Sequence, residues 1–227
     1  MSQIKDNIEK IIKELPPEVK LVAVSKFHPL DSILDAMKAG QKCFAESRPQ
    51  EFERKFMTLH SEMGVPREEL EWHFIGHLQT NKLKMVLPYA DMVQSVDSIH
   101  LLDSINEWGK ANGKVINVLL ELHIAAEQTK QGFAEEEILD VLFRADKYSN
   151  VKFCGLMGMA THTDNQEDIR ADFSRISSFM DYLKDLFFEL PEFRQLSIGM
   201  SDDWRIALEY NATMVRIGTS IFGPREY

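Results

Sequence analysis

Lys26 follows the apolar run LVAV and a serine. At the end of a buried strand a lysine is partly stripped of water, which favours the unprotonated amine and frees it for Schiff-base chemistry with an aldehyde. The same pattern also fits an exposed lysine leaving a strand, the commoner situation. A second group of residues lies near the other end of the chain. In SIGMSDDW, Ser201 stands just before a helical stretch and offers a hydroxyl and unpaired backbone N–H groups to an anion. In VRIGTSIFG an apolar run is interrupted by Arg216, Gly218 and Thr219; the glycine permits close approach of a phosphate to the backbone, and the threonine adds a hydroxyl. Each piece alone also fits a helix cap or an ordinary strand glycine.

Other chemistries find less support. His73 and His77 are four residues apart, but HFIGH reads as a strand and its end, where that spacing does not bring both rings to one helical face. The segment also lacks the glutamate of the zinc-protease motif, and no metal site is expected. No G-x-S-x-G elbow is present for Ser-His-Asp hydrolysis. Cys43 and Cys154 lie far apart in apolar surroundings and read as packing residues in a reducing compartment.

The elements that must position Lys26, Ser201 and Arg216 alternate between two patterns. Short apolar runs occur at Leu21–Phe27, Lys42–Ser47, Trp72–Gly76, Met92–Val96, Ile116–His123, Phe153–Met159, Leu196–Met200 and Met214–Phe222. Between them lie amphipathic stretches, including one capped by Asp31 or Ser32 and ending at Gly40, one beginning at Pro49, one capped by Ser98, and longer ones at Glu135–Tyr148 and Glu167–Phe188. An amphipathic N-terminal helix stops at Pro16-Pro17. Eight β-then-α units in a chain of this length predict an α/β fold, a single (β/α)8 TIM-type barrel over residues 1–227 preceded by the N-terminal helix; an open doubly wound sheet is the rival. In such a barrel the strands' carboxyl ends carry the site, and the loops after the seventh and eighth commonly hold a phosphate.

Of the 227 residues, 44% are hydrophobic and 27% charged, which excludes a disordered chain. The formal net charge of −10 argues against nucleic acid or anionic lipid as a partner. No apolar stretch reaches the length of a membrane helix and the N-terminus lacks a signal-peptide pattern, so a cytoplasmic protein is expected.

Six segments, taken in order, carry a resemblance: AVSKF, FAESRPQE, EWHFIGHLQTNK, GLMGM, LSIGMSDD and TMVRIGTSIFGPREY. Together they resemble the YggS/PROSC family of pyridoxal 5'-phosphate (PLP) homeostasis proteins over nearly the whole chain. The resemblance implies a fold-type III PLP barrel of the alanine-racemase-like kind, with PLP held as an aldimine on Lys26. It implies that Ser201, Gly218 and Thr219 hold the phosphate and that Arg216 meets the pyridine nitrogen. Ser47 stands where many relatives have asparagine, His77 where many bacterial members have proline, and His123 where asparagine is common.

The function this implies is carriage of PLP for vitamin B6 homeostasis, with apo-forms of PLP enzymes as possible recipients and without robust turnover. The alternative is a PLP-dependent amino-acid racemase or related enzyme. Racemases of this lineage add a β-rich domain that supplies a tyrosine and completes a dimeric site; the sequence ends at Tyr227 soon after the last barrel strand, so that domain is expected to be absent and a monomer is expected. A barrel binding some other phosphorylated metabolite is a third reading.

Overall fold

Strand formation follows from burial on both faces. Nearly every residue is buried in β1 (Lys20–Val24), β2 (Cys43–Glu46), β3 (Glu71–Phe74), β4 (Met92–Val96), β5 (Ile116–Glu121), β6 (Val151–Met157), β7 (Gln195–Ser197) and β8 (Met214–Ile217). Parallel strands covered on both sides require such runs. The computed structural model describes residues 3–126 and 131–224; Tyr227 lies outside them. Each strand pairs in parallel with the next and β8 returns to pair with β1, closing an eight-stranded barrel.

Helix α1 (Gln3–Glu14) precedes the barrel, and a helix follows every strand: α2 (Leu30–Lys38), α3 (Pro49–Met57), α4 (Leu83–Val86), α5 (Ile99–Asn112), α6 (Glu135–Leu142), α7 (Gln166–Leu186), α8 (Trp204–Leu208) and α9 (Thr219–Phe222). The (β/α)8 barrel with an N-terminal helix is therefore the observed fold, and the open sheet is excluded by the β8–β1 pairing. No helix among the described residues is long and apolar enough to cross a membrane.

The period of two along each strand divides the core. Val22, Val24, Cys43, Ala45, Met92, Leu119, Cys154, Met157 and Met214 form one cluster, inside the barrel. Their strand neighbours Leu21, Ala23, Phe44, Trp72, Phe74, Leu120, Leu156, Val215 and Ile217 join the larger cluster between strands and helices.

Three boundaries differ from the sequence expectations. The run Met214–Phe222 is not one strand: β8 stops at Ile217, and Thr219–Phe222 coils into α9, whose Ile221 is buried. The stretch Glu135–Tyr148 breaks after Leu142 into a shorter turn at Ala145–Lys147. Asp31 and Ser32 lie inside the first turn of α2, whose N-cap position is Pro29 without a side-chain cap. Ser98 does cap α5, its hydroxyl accepting from the Leu101 N–H at 3.3 Å.

Candidate functional site

Lys26 emerges two residues past β1. Val22 and Val24 face the barrel interior and the Ser25 hydroxyl meets Glu46, while Lys26 follows in the turn beyond them and is half-buried. The backbone around it is held on both sides. The Ser25 N–H continues the β1–β2 ladder to the Ala45 carbonyl at 3.0 Å, and the Phe27 N–H donates to Glu51 Oε1 at 2.8 Å. Phe27 has φ +68°, a left-handed conformation costly for an aromatic residue, so the turn that aims Lys26 depends on those contacts. The Arg48 guanidinium lies 4.3 Å from the centroid of the Phe27 ring.

Behind this turn sits a buried ion cluster. Lys55, on α3, is 3% exposed, and its ammonium donates to the Ser25 carbonyl at 2.8 Å, to Glu46 Oε1 at 2.7 Å and to Glu51 Oε1 at 2.8 Å. Glu46 Oε1 also accepts from the Ser25 hydroxyl at 2.6 Å, while its Oε2 is buried with no hydrogen-bond partner among the described residues. Burial pushes the Glu46 carboxyl above the usual carboxylate range, and Lys55 and Ser25 oppose the rise. Lys55 thus ties Ser25 directly, and Phe27 through Glu51, into one network.

Arg216 on β8 faces the barrel interior and is 4% exposed. Its Nη1 donates to the carbonyl and the hydroxyl of Ser197, both at 2.7 Å, and its Nη2 donates to the Gly158 carbonyl at 3.0 Å. Burial lowers the guanidinium to about 10 against the pull of Asp203 and Glu121, so it is a cation at neutral pH. Glu121, at the end of β5, is buried, and burial raises its carboxyl to about 7, with Asp97 adding to the rise and Arg216 opposing it. The interior of the barrel mouth therefore holds a fixed cation beside a carboxyl poised near neutrality.

The third element lies at the ends of β7 and β8. Ser201 Oγ accepts from the Gly218 N–H at 3.3 Å and the Ser220 N–H at 3.4 Å, so the amides opening α9 converge on one hydroxyl. Gly218 fits flush against β1: a Cβ there would lie 3.2 Å from the Val24 carbonyl oxygen. Thr219 is exposed beside it. Register sets the whole group together, since Val22 pairs with Arg216, Ala23 with Ile217, and the Arg216 N–H donates to the Gly199 carbonyl. Lys26, Ser201, Arg216, Gly218 and Thr219 thus cluster at the carboxyl ends of β1, β7 and β8. Glu121, Lys55 and Ser220 are additions. A lone glutamate in VLLEL was a signal for Glu121, whereas Lys55 has no signal in an amphipathic helix, where lysine normally faces water.

The histidines behave differently from one another. His77 is at the rim, its Nδ1 3.0 Å from Asp97 Oδ2, while His73 is fully buried in the barrel. Candidate ligand atoms of Cys43, Glu71 and His73 lie within 4.8 Å of one another, the donor set of a metal. They are already committed: Lys20 Nζ is 2.8 Å from both Glu71 oxygens, and His73 Nε2 is 2.8 Å from Glu71 Oε1. Burial also pushes the Cys43 thiol well above its usual range, away from the thiolate a metal needs.

A closed parallel barrel with a lysine just past the end of its first strand, a buried arginine inside and amides converging on Ser201 after its last strand defines a class: a (β/α)8 barrel with its polar groups gathered at the strands' carboxyl ends. The profile of the family described as Alanine racemase, N-terminal domain, matches residues 1–226. The pyridoxal phosphate homeostasis protein of Pasteurella multocida is 37% identical over 232 residues, covering 100% of this chain and 97% of the relative. That of Escherichia coli K12 is 34% identical over 230 residues, covering 100% and 96%. The chain belongs to this family of pyridoxal phosphate homeostasis proteins, built on the alanine racemase N-terminal domain. PipY of Synechococcus elongatus PCC7942, solved with PLP bound, superposes with a TM-score of 0.87 at 30% identity, covering 97% of this chain and all of PipY. Alanine racemase of Clostridium difficile 630 shares the fold, with a TM-score of 0.79 at 16% identity, over 99% of this chain and 60% of the racemase.

Proposed function

We propose that this chain binds PLP covalently on Lys26 as a lysine aldimine and serves intracellular PLP homeostasis, residues 1–227 acting as one PLP-binding domain. The observation that carries this reading is the presence, at three adjacent strand ends, of a lysine in the turn after β1, a buried cation and a loop of hydroxyl and amide donors. PLP supplies an aldehyde and an electron-withdrawing ring; the residues here supply what such a molecule needs. Lys26 would supply the amine that, unprotonated, joins the aldehyde carbon as C=N with loss of water. Ser201 and the amides and hydroxyl of Gly218 and Thr219 hold the phosphate dianion. Arg216 donates and never accepts, so a ring nitrogen facing it is kept unprotonated, which weakens the ring as an electron sink. The PLP-bound state of PipY and the names of the curated relatives support the same reading.

On this reading the protein is a cytoplasmic monomer, not an enzyme, that delivers PLP to apo-forms of PLP enzymes and takes neither nucleic acid nor membrane as a partner. The test is to load the purified protein with PLP, record its visible absorption, and mix it with an apo-aminotransferase. Recovery of aminotransferase activity, with no steady racemisation by the carrier alone, is expected. Sustained turnover of an amino acid that disappears in Lys26→Ala would establish the racemase alternative instead.

A further inference from the structure

Inside the barrel a continuous hydrogen-bonded chain runs from Arg216 to the opposite end. Arg216 Nη1 donates to Ser197 Oγ, and Ser197 Oγ donates to Gln94 Oε1 at 2.6 Å. Gln94 Nε2 lies 2.6 Å from His73 Nδ1, and His73 Nε2 lies 2.8 Å from Glu71 Oε1. Lys20 closes the series on Glu71. Gln94, Ser197 and His73 are at most 1% exposed.

The direction of every bond is fixed from the arginine end. Arg216 can only donate, so the Ser197 oxygen accepts from it and its hydroxyl hydrogen goes to Gln94. Gln94 therefore presents its oxygen to Ser197 and its NH2 to His73. His73 Nδ1 accepts, its proton sits on Nε2, and that proton points at the Glu71 carboxylate. Burial favours protonation of Glu71, but the hydrogen bonds of His73 and Lys20 and the Lys20 charge outweigh it and hold the carboxyl below the usual carboxylate range. A cation at the mouth is thus joined to a carboxylate at the amino-terminal end by donors that all point the same way, an arrangement in which each bond strengthens the next.

We propose that Ser197, Gln94, His73 and Glu71 are positioning residues that hold Arg216 in the place and orientation from which it meets the ring of the bound cofactor. The proposal rests on the PLP reading of the site. Four polar residues on three strands, facing a lumen packed with Val22, Val24, Leu119 and Met214, would be replaced by packing residues at no structural loss if they served stability alone. Their common terminus is the guanidinium.

The test measures the dissociation constants of PLP and of unphosphorylated pyridoxal, by absorption titration, for wild type, Gln94→Leu and Arg216→Met, and for the double variant. Glu71→Gln, which keeps the shape at the far end of the chain but removes its charge, serves if Gln94→Leu does not fold. Far-UV circular dichroism and thermal unfolding without ligand monitor the fold. Gln94→Leu is expected to weaken both ligands by the same factor, about tenfold, as the loss of one charge-assisted contact gives. That factor is expected to vanish in the Arg216→Met background. Glu71→Gln is expected to weaken both ligands alike by a smaller factor, also only when Arg216 is present. Effects that add in the double variant, or a loss confined to PLP, would show that the chain does not act through Arg216. If the wild type takes up neither ligand, the PLP reading itself fails and the inference with it; a wild type that binds both while the cycle is additive overturns the inference alone.

Discussion

Lys55→Met removes the ammonium that joins the two carboxylates behind the Lys26 turn while keeping the length of the side chain. All three of its donors are in use, at 2.7 to 2.8 Å, and the residue is 3% exposed. The variant leaves the Ser25 carbonyl and the Glu46 carboxylate without that donor in a place water does not reach. Removing one partner of a buried ion pair costs about 3–5 kcal/mol, well above the value of an exposed pair. In a chain of 227 residues, each kcal/mol corresponds to roughly 2–4 °C in Tm, so a fall of about 10 °C is expected. The assay is thermal unfolding followed by circular dichroism at pH 8 and at pH 5.5. The deficit is expected to shrink at the lower pH, where Glu46, already raised by burial, takes up a proton and no longer needs the cation. Replacing Glu46 by leucine in the Lys55→Met background is expected to restore a large part of the loss. PLP affinity is expected to fall with the single variant, because Ser25 and Phe27 lose the network that fixes the turn. A loss under about 1 kcal/mol, or a double variant no more stable than the single one, would refute the reasoning.

Further outcomes follow from the other parts of the site. Glu121 has a carboxyl raised from 4.5 to about 7, so the native state binds a proton more tightly than the unfolded chain; its contribution is complete below about pH 4.5 and is lost as pH rises through 7. That loss amounts to about 3 kcal/mol, and Glu121→Gln is expected to flatten the Tm profile between pH 5 and 8, as differential scanning calorimetry at each pH would show. Glu71 acts in the opposite sense: held at about 2, it stabilises above the ordinary carboxylate range and that contribution disappears as pH falls from 4.5 towards 2, so wild-type Tm is expected to turn down in strong acid. Gly218→Val crowds the Val24 carbonyl and is expected to weaken PLP far more than pyridoxal in absorption titrations; equal losses would remove Gly218 from the phosphate site.

The barrel was legible because its strands are short apolar runs separated by amphipathic helices, a pattern few other arrangements satisfy. Two failures have a common cause. In Met214–Phe222 and in Glu135–Tyr148 the apolar pattern continues across a break, since Ile221 and Phe222 pack from a helix as readily as from a strand, and only the backbone at Gly218 separates the two. Lys26, Ser201, Gly218 and Thr219 could be picked out as candidates because each follows an apolar run, and Arg216 because it interrupts one. Lys55 could not, because a lysine on an amphipathic helix looks the same whether it faces water or two buried carboxylates. The interior chain was equally hidden: Gln94, His73 and Ser197 appear as polar interruptions on separate strands, and their bonds join residues up to 103 apart in sequence.

The central claim is that PLP is carried on Lys26. Borohydride reduction of the PLP-loaded protein followed by proteolysis and peptide mapping tests it directly, since reduction turns the C=N bond into a stable secondary amine at whichever lysine bears it. The label is expected on the peptide containing Lys26 and absent from Lys26→Ala. A label spread over surface lysines, or undiminished in that variant, would contradict the claim.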